Sequence, residues 1–156
     1  MSTTGVRGID STIQKTQEWL SELSAELGWK DRHRAYSALR AVLHAIRDRL
    51  PVSQTAAFGA QLPILIRGLY YDGWRPSDVP LRVRHREEFL DLVREELDRN
   101  QAITEDVEKV VAAAIGLLCR HNEAEMRKIS SGFPKELQSL FPFGERPEAP
   151  GAQPHA

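Results

Sequence analysis

The stretch RAYSALRAVLHAIRDRLP, Arg34 to Pro51, decides the fold class. Its apolar residues Ala35, Leu39, Val42, Leu43, Ile46 and Leu50 recur at helical spacing and fall within about a third of a helix circumference, which predicts one amphipathic helix stopped by Pro51. Ala38, Ala41 and Ala45 lie beside or behind that stripe and permit close approach by another helix. On the same projection His44 falls away from the stripe, Arg40 and Arg47 sit on one flank and Arg49 on the other. The three arginines are expected on a solvated face or paired with Glu87, Glu88 and Asp91, and the placing of His44 disfavours a buried haem or metal ligand.

Outward from this helix, one plan is written twice. Trp19-Leu20, Leu23 and Leu27 recur as Phe89-Leu90, Val93 and Leu97, while Leu62-Pro63, Leu69, Tyr70 and Gly73 recur as Phe133-Pro134, Leu140, Phe141 and Gly144. The offset is 70 in the first set and 71 in the second, so residues 19–74 and 89–144 read as a drifted tandem duplication. A copy of about 55 residues buries too little apolar surface to offset its conformational entropy alone. Within a chain of 156 residues, 41% of them hydrophobic, the two copies are expected to close over one core.

The expected fold is all-α, with about eight helices from two tandem four-helix repeats in a partly orthogonal bundle. The expected division is a flexible N-terminus over 1–10, a single domain over 11–144 and a disordered, Pro-rich tail over 145–156. Repeat one covers 11–74, the connector 75–81 and repeat two 82–144.

The first helix is expected to start at Ser11, which has capping-box spacing to Gln14, and to end at Gly28. Ser53 is read as the cap of a third helix running through Gln61, and Pro63 as part of the first turn of a fourth, from Leu62 to about Tyr71. In the second copy Thr104, Glu105 and Asp106 start a helix whose stripe is Val107, Val110, Val111, Ala114, Ile115 and Leu118. Asn122 is expected to cap the next, and Pro134 to open a last helix ending at Pro142.

The net charge of −1 hides a polarity. Residues 1–86 carry 13 Lys and Arg against 8 Asp and Glu, whereas residues 87–156 carry 8 against 14. Lys30, Arg32, Arg34, Arg40, Arg47, Arg49, Arg82, Arg84 and Arg86 could bind nucleic acid if they shared a face. The helix projection splits them, so complementary basic and acidic halves are the favoured reading and nucleic acid is an unlikely partner. The lone cysteine, Cys119, excludes an intramolecular disulfide and fits a reducing cytoplasm. No stretch approaches the roughly 18 apolar residues of a membrane span, and no basic-then-apolar leader opens the chain. A soluble, cytoplasmic protein without membrane contact is expected.

The run Ala38 to Pro51, continued by Gln61-Leu62-Pro63 and by Arg67-Gly68-Leu69-Tyr70-Tyr71-Asp72-Gly73-Trp74, resembles a bacterial family known as domain of unknown function 2267. The resemblance covers nearly the whole chain outside its two ends and is most specific from Gln61 to Trp74. It implies a small, helical, cytoplasmic bacterial protein with an internal repeat and loosely globin-like helix crossings. It brings no activity, cofactor or catalytic residue.

Catalytic signatures are missing from the sequence. It has no phosphate-binding loop, no paired-glycine fingerprint, no Gly-x-Ser-x-Gly elbow and no Cys pair for zinc, so no catalytic residue, cofactor or metal is expected. His121 and Glu125 have a spacing that can hold a metal on a helix, but a helix end expected at Asn122 falls between them. Glu88, Asp91 and Glu95 share a face that Arg84 and Arg99 are placed to neutralise.

The densest chemistry is Tyr70, Tyr71, Asp72, Trp74 and Arg75, three aromatics, a carboxylate and a guanidinium around a turn. These are the candidate interaction residues, since Tyr, Trp and Arg supply much binding energy per residue. The competing account makes the rings a plug between the copies. Tyr71 and Trp74 are matched by Pro142 and Glu145 in the second copy, which marks them as particular to the first. The leading reading is a non-enzymatic interaction or accessory module that binds a protein partner or itself. The first alternative is a small-ligand module with a pocket lined by Trp19, Phe58, Tyr70 and Trp74, and the second is nucleic-acid binding through the basic half.

Overall fold

The computed structural model describes residues 4–143 apart from 103 and 105. Among these the regular structure is all helical: α1 (Arg7–Leu27), α2 (Arg32–Arg49), α3 (Val52–Gly59), α4 (Ile64–Tyr71), a 3-10 turn at Pro76–Asp78, α5 (Arg86–Arg99), α6 (Val107–His121), α7 (Glu123–Gly132) and α8 (Lys135–Gln138). The tail expected to be disordered, Gly144 of the repeat and the start signal read at Glu105 lie outside the described residues.

The first helix begins at Arg7, one turn before the expected Ser11. Its entry is fixed by Asp10, whose Oδ1 accepts from the amide of Thr4 at 3.0 Å and from its hydroxyl at 2.8 Å. A carboxylate in the first turn also suits the positive end of the helix dipole. The helix ends where expected, at Gly28, with φ 69° and ψ 26°. In that left-handed conformation the amides of Gly28 and Trp29 reach back to the carbonyls of Ala25 and Ser24, at a position where a Cβ would be strained.

Asp31 starts α2 by accepting from the amides of His33 and Arg34. This helix is central, touching α1, α4, α5 and α6. Leu39, Val42, Leu43 and Ile46 are fully enclosed, each contributing roughly 1.5–3 kcal/mol through removal from water. The expectation for the opposite side is overturned, because His44 is 6% exposed and Arg47 4%. A surface helix keeps a solvated face, but α2 has neighbours all round, and its polar side chains bond to those neighbours instead of water.

Helix pairings interchange between the two halves of the chain. α1 meets α2 as α5 meets α6, α1 meets α6 as α5 meets α2, α1 meets α4 as α5 meets α8, and α2 lies against α6. This interchange is compatible with the duplication expected from the sequence. One hydrophobic cluster takes in Trp19, Leu23 and Leu43 together with Phe89, Val111, Leu118 and Ile129.

The shorter helices depart from expectation in detail. Pro51, not Ser53, occupies the position before α3, which stops at Gly59, and Pro63 stands just before α4. The side chain of Asn122 makes no cap for α7. Its Nδ2 donates instead to the carbonyl of Gln61, tying the two halves together. The last helix is reduced to four residues, Lys135–Gln138, and the chain continues as turns past Phe141.

Candidate functional site

The turn that follows α4 is held from beneath by α2. A helix leaves its last carbonyls without internal donors. Here the Nε2 of His44 lies 2.8 Å from the Leu69 carbonyl, and Nη1 of Arg47 donates at 2.9 Å to both Tyr70 and Asp72 carbonyls. The other ring nitrogen of His44, Nδ1, is 2.9 Å from the Glu96 carboxylate of α5. Both ring nitrogens are thus taken up by partners within the fold. Arg40 closes the cluster, donating to Glu96 at 2.9 Å and to Asp72 at 2.8 Å. Thus the partners of Arg40 and Arg47 are Glu96, Asp72, Asp48 and main-chain carbonyls, not the expected Glu87, Glu88 and Asp91.

The five candidate residues divide in their surroundings. Tyr70 is fully enclosed, donates to the Thr55 carbonyl at 3.0 Å and meets Phe58 edge to face at 5.3 Å. Desolvation of the phenol raises its pKa, with help from the neighbouring Tyr71. Tyr71 is half-buried between Tyr70 and Trp74, with ring centroids 4.9 and 5.4 Å away. Its phenol rests where a side chain on Gly59 would be. Trp74 is also half-buried, and its Nε1 is enclosed without a hydrogen-bond partner. Asp72 and Arg75 are exposed. The Arg40 guanidinium hydrogen bond holds the Asp72 carboxyl below its usual range. Three of the five therefore form a ladder of rings that braces the end of α4.

The start of α4 is different. Ile64 is 66% exposed and Leu65 38%. The Leu65 amide donates to the Thr12 hydroxyl of α1 at 2.9 Å, which brings α4 beside the first turns of α1, where Val6 and Ile9 are 52% and 47% exposed. This apolar flank carries no motif; the paired Ile64-Leu65 directly after Pro63 was its only sequence signal.

The remaining candidates serve packing. His121 turns to Glu22, with Nε2 2.9 Å from its carboxylate, and stacks on Trp19 at 4.6 Å, so it does not converge with Glu125. Partial burial opposes ionisation of Glu22, but hydrogen bonds from His121 and Arg120 outweigh it and lower its pKa. Glu88 accepts from the amides of Arg84 and His85, while Asp91 pairs with Arg94. Burial pushes the Cys119 thiol up to about 11, which keeps it unreactive. Of the four residues expected to line a pocket, Phe58 and Tyr70 pack on each other, and Trp19 joins His121 instead.

A cavity of about 430 Å³ lies elsewhere, bounded by Leu27, Trp29, Arg34, Thr104, Asp106, Lys109 and Val110. It opens where the α1–α2 connection meets the start of α6. Its signal in the sequence is Trp29, a tryptophan in a short charged connection, with Arg34 soon after it.

Among the described residues, no helix is long and apolar enough to cross a membrane. The model of a family described as an uncharacterized conserved protein, DUF2267, matches residues 16–140. No curated protein matches the chain.

Proposed function

The chain belongs to the DUF2267 family of uncharacterized conserved proteins, and we propose that within this family frame it acts as a non-enzymatic interaction module whose docking face is the apolar flank of α1 and α4. The observation that carries the reading is Ile64, two-thirds exposed on a helix whose Ile66, Leu69 and Tyr70 are anchored in the core. Singly scattered apolar residues need no explanation. Ile64, Leu65, Ile9 and Val6 are not scattered, because the Thr12 contact places two helix starts side by side.

The occupant is a second copy of the chain. Paired about a two-fold, the same flank of each copy covers the other. Covering an Ile or Leu contributes roughly 2 kcal/mol. Four partly exposed side chains then yield several kcal/mol against an association cost of about 4–15 kcal/mol, so the dimer is weak. Tyr70, Tyr71 and Trp74 support the face from behind by fixing the far end of α4. A nucleic-acid role has less support, since Arg40, Arg47, Arg49 and Arg67 spend their donors on carboxylates and carbonyls within the fold.

Sedimentation from about 10 μM to about 1 mM tests this, the range set by so small a face. The wild-type mass is expected to rise above the 17.6 kDa of one chain, and that of Ile64→Lys to remain at 17.6 kDa. A wild-type mass that holds at 17.6 kDa throughout the range refutes self-association.

A further inference from the structure

We infer that the cavity bounded by Trp29, Arg34 and Lys109 is a binding site for a small organic anion that joins an oxyanion head to a planar or apolar body. Its volume, about 430 Å³, falls in the range of small-molecule sites. Its floor is apolar: Leu27 and Val110 are core residues whose edges reach the cavity. One wall is the Trp29 indole, and the Arg34 guanidinium lies 4.0 Å above that ring. The ring holds the cation in a fixed place without neutralising it.

Arg40, Arg86 and Arg120 have carboxylate partners, whereas Arg34 has the indole and Lys109 has no acidic partner among the described residues. Among the described lining residues the acid is Asp106, whose Oδ1 accepts from the Lys109 amide as the cap of α6. Arg34 and Lys109 against the single negative charge of Asp106 leave one positive charge in excess among the described lining residues, which a carboxylate or a phosphate balances, and Arg presents a fork suited to either. The floor and the indole then select anions that carry a ring or a hydrocarbon body over bare ions. Thr104 and the second oxygen of Asp106 stand at the rim for a hydroxyl on that body.

The site draws on both halves of the chain, with Leu27, Trp29 and Arg34 from one and Thr104, Lys109 and Val110 from the other. It lies at the C-terminal end of α1, about 30 Å along that helix from the apolar flank, so neither site depends on the other. The whole chain is titrated with 1-naphthoate, adenosine 5′-monophosphate and inorganic phosphate, following heat and the Trp29 indole NH resonance. Expected is saturable one-to-one binding of at least one of the two ring-bearing anions, with movement of the Trp29 signal. Arg34→Gln and Lys109→Gln, both away from the core, are each expected to weaken it about tenfold while the circular dichroism spectrum stays unchanged. Absence of binding by both aromatic anions at millimolar concentration overturns the proposal. So does phosphate alone binding as tightly as they do, or equal affinity in the two variants.

Discussion

Glu96 of α5 reaches His44 of α2 with a carboxylate–imidazole distance of 2.9 Å, and both side chains are almost wholly enclosed. The same carboxylate receives Arg40, so one acidic group from the second half of the chain holds two basic groups of the first. Through His44 the link continues to the Leu69 carbonyl and the aromatic turn. Removing one member of a buried pair leaves its partner desolvated and uncompensated, which is worth about 3–5 kcal/mol. Glu96→Ala is therefore expected to lower the unfolding free energy by about 3 kcal/mol, the low end because Arg40 is partly solvated and keeps Asp72. Urea titration checks this through the midpoint at constant slope, and an unmoved midpoint rejects the assignment.

Acid should loosen the molecule at identifiable places. The Glu136 carboxylate accepts from the Arg86 amide at 2.9 Å and lies 3.2 Å from His85, docking α8 on the start of α5. Backbone hydrogen bonding from Arg86, followed by His85, lowers its pKa. Glu88 and Asp72 are lowered too, by amides of His85 and Arg84 and by the Arg40 guanidinium. A carboxylate whose pKa is depressed by folding adds stability that is present above its unfolded pKa and disappears as pH falls through the folded one. The melting temperature is expected to be flat near neutrality and to drop as the pH goes below the ordinary carboxylate range. In Glu136→Gln the start of that drop should be shallower; an identical pH profile in the variant discards the role.

Much of this architecture is legible in the sequence. The stripe from Ala35 to Leu50 located α2, and Gly28 and Pro51 marked its surroundings correctly, because main-chain constraints act wherever these residues stand. His44 and Arg47 were misread for a physical reason. Periodicity reports which residues avoid water, and it cannot tell a polar side chain facing solvent from one facing the carbonyl end of another helix. Asn122 shows the same limit, since its amide bonds to Gln61, which is distant in sequence. Tyr70 to Arg75 was found as a cluster, yet whether its rings face outward depended on Gly59 and Thr55, contributed by α3. The cavity at Trp29 left little trace because Thr104, Asp106, Lys109 and Val110, distant in sequence, provide the other part of its lining.

Cys119 offers a probe of opening. The thiol is 6% exposed and raised to about 11, burial being the larger cause and the Glu123 carboxylate the next. Nucleophilic reaction requires the thiolate. At neutral pH modification by a disulfide reagent should be slow in the native protein and rise toward the free-cysteine rate as urea populates open states. Glu96→Ala should accelerate it without added denaturant, in proportion to its loss of stability. Rapid labelling of the intact protein contradicts the enclosed placement.

Two glycines a few residues apart should respond to the same substitution with opposite signs. A Cβ on Gly59 would stand 2.8 Å from Cζ and 2.9 Å from Cε2 of Tyr71, whose ring is confined between Tyr70 and Trp74. The ring cannot retreat without disturbing that ladder, and overpacking of this kind costs about 1–3 kcal/mol. At Gly68, inside α4, an added methyl meets open space. There alanine relieves the glycine penalty of a helix interior and should stabilise by about 0.5–1 kcal/mol. Thermal unfolding of Gly59→Ala and Gly68→Ala is expected to move down and up respectively. Tyr71→Ala combined with Gly59→Ala should cost less than the sum of the two single changes, because the clash exists only while the phenol is present. Strict additivity of the pair shows that Gly59 is required for some reason other than the tyrosine ring.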